Sequence, residues 1–65
     1  MNRLPLNILV IEDQIPFARL LREYIQLSDS AWSVTAEATT LRGGLQHIES
    51  QDFDLILVDL GLPDS

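Results

Sequence analysis

Cysteine and lysine are absent from this 65-residue chain, and histidine occurs once. Without cysteine there is neither a disulfide framework nor a Cys-rich zinc site, which agrees with a reducing, cytoplasmic setting. Without lysine, four arginines stand against ten acidic residues and the formal charge is −6. This segment is therefore not expected to bind nucleic acid or an anionic membrane surface. Long apolar runs are lacking too. The longest, Ile8-Leu9-Val10-Ile11 and Leu55-Ile56-Leu57-Val58, fall far short of the roughly 20 residues that a membrane-spanning helix needs. Pro5 and Asn7 interrupt the first apolar stretch and Glu12 closes it, so it does not read as a signal peptide. What remains is one small domain, residues 1–65, with 46% apolar residues. A chain of this size buries only about 60% of its unfolded surface and is expected to need outside support.

The two apolar runs are short, rich in β-branched residues and apolar on both faces, which predicts strands buried on both sides of a parallel sheet. Between them Phe17, Leu20, Leu21, Tyr24 and Ile25 form one helical stripe, with Arg19, Arg22, Glu23 and Gln26 on the other side. Pro16 suits that helix's first turn, and Ser28-Asp29-Ser30 breaks it. Val34, Ala36 and Ala38 then alternate with Ser33, Thr35 and Glu37, the period-2 pattern of a border strand with a polar face. Thr39 or Thr40 is placed to cap a second helix carrying Leu41, Leu45 and Ile48, which Gly43-Gly44 weakens by about 1 kcal/mol per glycine. The order is β-α-β-α-β. Of the sheet orders that right-handed crossovers allow, 1-2-3 and 2-1-3, the second makes the all-apolar first strand central and puts one helix on each face. The fold class expected is therefore α/β, a three-stranded parallel sheet of order 2-1-3. The third strand is left with an uncovered apolar edge, which invites pairing with another copy of the chain.

In a parallel sheet all strands end on the same side. Glu12 and Asp13, after the first strand, and Asp59, after the third, thus meet at one rim, across neighbouring strands about 4.8 Å apart and at the switch point where open α/β sheets bind ligands. Carboxylates so close repel unless a cation intervenes. An oxygen-only set that keeps several waters suits Mg²⁺, and a carboxylate beside Mg²⁺ is able to attack a phosphoryl group.

These residues carry a family resemblance. Ile8-Leu9-Val10-Ile11-Glu12-Asp13 resembles the first strand and acidic pair of a response regulator receiver domain, and Asp54-Leu55-Ile56-Leu57-Val58-Asp59-Leu60-Gly61-Leu62-Pro63-Asp64 resembles its third strand, phosphoacceptor and following loop. The resemblance implies the first half of a flavodoxin-like receiver fold in two-component signalling. Asp59 would accept a phosphoryl group from a phosphohistidine on a sensor histidine kinase. Asp13 and Asp59 would bind Mg²⁺ directly, the backbone carbonyl of Gly61 would be the third protein ligand, and Glu12 stands where an acidic residue acts through bound water. The family's later hydroxyl and lysine positions would lie beyond Ser65. The segment is thus expected to be truncated in the loop after the third strand, with impaired phosphoryl transfer.

Plainer readings stand beside these. Glu12-Asp13 also suits an acidic strand-to-helix turn, and Leu62-Pro63-Asp64 a simple turn. His47 lies off the helical stripe and reads as solvent-facing, not as a phosphodonor. Trp32 reads as cover for the core margin, Gly43-Gly44 as a close helix-to-sheet contact and the arginines as solubilising charge. Two other functions remain: a self-associating assembly module without phosphotransfer, and a phosphatase forming an aspartyl phosphate. The latter would place a second aspartate two residues after Asp59, where this chain has Gly61.

Overall fold

The strand built on Ile8–Ile11 occupies the middle of the molecule, as its apolar character on both faces requires. In the computed structural model, which describes residues 4–64, the elements are β1 (Leu6–Ile11), α1 (Ile15–Ser28), β2 (Trp32–Ala38), α2 (Leu41–Ser50) and β3 (Leu55–Val58). Met1–Arg3 and Ser65, the expected end of the loop, lie outside the described residues. The sheet is parallel with the order β2-β1-β3. Ile8, Leu9, Val10 and Ile11 are at most 1% exposed, and each such burial stabilises the fold by roughly 2 kcal/mol. Ile8 and Val10 pack with Val34 and with Ile25 and Leu21 of α1, whereas Leu9 and Ile11 pack with Ala38, Leu62 and Leu41 of α2. One helix on each face is therefore what the order β2-β1-β3 produces.

Three local readings are corrected. First, the stripe of α1 is rotated. Ala18 and Ile25 are buried and Leu21 is half-buried, but Phe17, Leu20 and Tyr24 are exposed. The small side chain of Ala18 sets the helix against the β1–β2 half of the sheet, and the larger row turns away from it. Second, β2 does not keep its apolar residues on one face. Ile8 pairs with Val34 but Leu9 pairs with Ala36, so Thr35 is an extra residue. It sends Val34 to the α1 side and Ala36 and Ala38 to the α2 side. Third, Leu45 and Ile48 of α2 stay exposed, and the buried position is Gly44. An ideal Cβ there would fall inside contact distance of Ile11 Cδ1 and 2.8 Å from Ile11 Cγ1. Glycine lets the helix approach the sheet, as expected of Gly43-Gly44.

The two sheet edges differ. At β2, besides the bulge, Arg22 donates to Val34 O at 3.3 Å and pairs with Glu37 at 3.1 Å, so this arginine has a structural contact beyond solubilising charge. β3 is anchored at its start, where Asn7 N–H donates to Asp54 Oδ2 at 2.7 Å and Asp54 N–H to Asn7 O at 2.9 Å. Its pairing to β1 from Ile8↔Leu55 to Ile11↔Val58 is regular. Leu55 (43%), Ile56 (39%) and Val58 (43%) remain exposed, so the expected burial on both faces holds for β1 and not for β3, an edge strand paired on one side alone.

Candidate metal and phosphoacceptor site

Both strands that carry the acidic residues stop at the same rim because their pairing ends in register at Ile11 and Val58. Beyond it, Asp59 N–H donates to Ile11 O at 3.0 Å and Glu12 N–H to Ala38 O at 2.9 Å. These bonds extend the sheet by one step and hold the two backbones side by side. Glu12, Asp13 and Asp59 each bring a carboxylate oxygen to within 4.8 Å of the others. The three residues that the sequence singles out are thus brought together, with Glu12 only 7% exposed, Asp59 half-buried and Asp13 exposed.

Glu12 is held by the turn it starts: Gln14 N–H donates to Glu12 Oε1 at 3.0 Å. Gln14 itself is the N-cap of α1 without a side-chain cap, and Pro16 sits in the first turn. The plainer reading holds in part: Glu12 forms the turn, alongside its place in the cluster, but it is not an acidic cap, since the N-cap is Gln14 and the first turn of α1 holds no acidic residue. That Gln14 bond is the largest single influence on its titration and favours the charged form. Burial, a hydrogen bond with Asp13 and repulsion from Asp59 and Asp13 together outweigh it, so Glu12 titrates above the usual glutamate range. Three carboxylates in one place repel, and a divalent cation is the ordinary relief.

Gly61 enters through its backbone: its N–H donates to Asp59 Oδ1 at 3.0 Å. The next residue, Leu62, is buried against Leu9, Ile11 and Ala38, which anchors the loop beneath the site. Two grooves flank the cluster. One of about 390 Å³ runs between α1 and β3, past Phe17, Leu21, Leu57, Asp59 and Leu60. The other, of about 670 Å³, lies on the β2 side, and Glu12, Arg19, Thr40 and His47 are among the residues that line it. His47 is half-buried there, less open to solvent than its place off the helical stripe suggests.

The profile of the response regulator receiver domain matches residues 8–65. This chain is a receiver-domain family member. A search of curated proteins and one of solved structures found no match. Receiver domains are phosphoacceptor modules of two-component signalling that work with sensor histidine kinases, and they typically bind Mg²⁺ at an acidic cluster. The donor set here, oxygen-only and partly open to solvent, fits such an ion. Among the described residues no helix is long and apolar enough to cross a membrane.

One contact near the site leaves no trace in the sequence pattern. Asp64, taken for a turn residue, binds the start of α2: Leu41 N–H donates to its Oδ1 at 2.7 Å and Arg42 N–H to its Oδ2 at 3.0 Å. A cap that comes from 22 or 23 residues downstream leaves no local spacing signal. The capping position itself was among the two expected, since Thr40 Oγ1 accepts from Gly43 N–H at 3.0 Å.

Proposed function

We propose that Asp59 is the phosphoacceptor of this receiver and that Glu12, Asp13, Asp59 and the backbone carbonyl of Gly61 form its Mg²⁺ site. The single observation that carries this reading is the convergence of the three carboxylates within 4.8 Å at the ends of β1 and β3. Gly61 N–H engages Asp59 Oδ1 and leaves Oδ2 as the attacking oxygen. In the transfer, that oxygen forms a bond to the phosphorus of a kinase phosphohistidine, the P–N bond breaks, and the leaving imidazole takes up a proton. The product is an acyl phosphate on Asp59. Bound Mg²⁺ supplies charge neutralisation for the transferred oxygens; the chain's own part is to hold Asp59 and to keep Asp13 and Glu12 beside it. The exchange belongs in the cytoplasm, consistent with the absence of cysteine.

The test is intact-mass measurement after incubation with Mg²⁺ and a small phosphodonor such as acetyl phosphate. The expected result is a gain of one phosphoryl group that is abolished by Asp59→Asn and by chelation of the metal. No gain in the unaltered chain, or a gain that survives Asp59→Asn, would overturn the assignment.

The contrast between the sheet edges favours a second, compatible reading. β2 carries the bulge, the Arg22 contact and Glu37, all devices that discourage strand pairing, while β3 has none of them and is apolar throughout. We infer that a second copy of the chain pairs with β3. Leu55, Ile56 and Val58 along the edge, with Leu60 beyond it, leave large apolar side chains exposed there, the surface that such pairing would cover. Sedimentation at micromolar concentration is expected to show a dimer, and a monomer would refute this second reading.

A further inference from the structure

The loop between Asp59 and Asp64 is pinned along its length. Gly61 N–H is bonded to Asp59, Leu62 is buried, and both carboxylate oxygens of Asp64 are bonded to backbone N–H groups of α2. The first turn of a helix exposes N–H groups without intrahelical partners. In α2, Asp64 takes those of Leu41 and Arg42 while Thr40 takes that of Gly43. Two separate residues thus cap one helix, and of these two Asp64 is the one that lies on the loop carrying Gly61. The Arg42 and Leu41 N–H groups also hold the Asp64 carboxyl below the usual aspartate range, so the bond persists as a charged one.

We propose that Asp64 is a positioning residue for the phosphoacceptor: by clamping the loop to the start of α2 it holds Gly61 against Asp59, and so sets the geometry that cation binding uses. The consequence for Mg²⁺ rests on the reading of the site given above; the effect on Gly61 does not. An ordinary helix cap would stabilise α2 and leave Gly61 alone.

The experiment compares Asp64→Ala and Thr40→Ala with the unaltered chain by NMR, first without metal and then in a Mg²⁺ titration. In Asp64→Ala the metal-free Gly61 amide is expected to exchange with solvent faster, and Mg²⁺ to bind roughly 10-fold more weakly, as for loss of other outer-shell partners of a metal site. Thr40→Ala removes a cap from the same helix without touching the loop, so Gly61 exchange should stay as it is. Asp64→Asn, which keeps one acceptor oxygen, should fall between the unaltered chain and Asp64→Ala. Unchanged Gly61 exchange in Asp64→Ala, or an equal loss in Thr40→Ala, would overturn the proposal and leave Asp64 as a helix cap alone. Should the unaltered chain bind no Mg²⁺, the metal reading fails, while faster Gly61 exchange in Asp64→Ala would still support the clamp.

Discussion

Glu12 is the residue in which structure and chemistry conflict most. Its carboxylate lies beside two others in a residue only 7% exposed, so without a cation folding shifts its equilibrium toward the protonated form relative to the unfolded chain. The folded pKa lies above the ordinary value of 4.5. The stabilising effect of that proton is therefore present below 4.5 and is lost as pH rises through the folded pKa. Asp64 has the opposite sign: its folded pKa lies below the ordinary 3.8, so its contribution is present above 3.8 and is lost as pH falls through the folded value. Glu12→Gln should accordingly raise the melting temperature of the metal-free chain at pH 7 and flatten the decline of stability above pH 4.5. It should also weaken Mg²⁺ binding roughly 10-fold. Calorimetry with and without Mg²⁺ checks both; a lower melting temperature for the metal-free variant would mean that the Gln14 bond outweighs the repulsion. The cluster was legible in the sequence because strand ends are predictable from apolar runs and parallel strands share a rim. The Asp64 contact was not, since it joins residues distant along the chain and leaves no periodic trace.

At the level of elements, the close approach of α2 to β1 depends on Gly44. Gly44→Ala should gain about 1 kcal/mol of helix propensity but incur about 1–3 kcal/mol of overpacking against Ile11. The net expected is a loss of about 1 kcal/mol. Ile11→Val removes the methyl group that the new Cβ meets, so it should cost less in the Gly44→Ala background than in the original chain. Denaturation of the four chains, followed by the fluorescence of Trp32 at the far end of the sheet, gives that coupling; strict additivity would show that the contact is not what requires glycine. The element order, strand order and role of the glycine pair could be read from pattern alone. Helix rotation could not. In α1 the apolar residues outnumber the positions that one sheet half can cover, and Ala18, the smallest of them, decides which row faces inward. The bulge at Thr35 was equally hidden, because one extra residue leaves the alternation of Val34, Ala36 and Ala38 intact in the sequence while splitting it across two faces in space.

For the whole molecule, the question is how a sheet with one protected and one open edge persists in water. If β3 pairs with a second copy, a charge on that edge should prevent it: Ile56→Lys is expected to shift the chain toward monomer in sedimentation, whereas Thr35→Lys, at the protected edge, should leave association unchanged. Equal effects from both substitutions would point to contact elsewhere. The acidic rim lies at the end of the strands and is expected to bind a cation in monomer and dimer alike. Paramagnetic relaxation with Mn²⁺, as a probe of the same oxygen set, therefore tests directly whether Glu12, Asp13 and Asp59 hold a cation. The amide signals of Glu12, Asp13, Asp59 and Gly61 are expected to broaden first, those of Trp32 and Asp54 at the opposite end of the sheet to persist, and excess Mg²⁺ to restore the lost signals. Broadening spread evenly over the other acidic residues, or centred away from Asp59, would contradict the assignment.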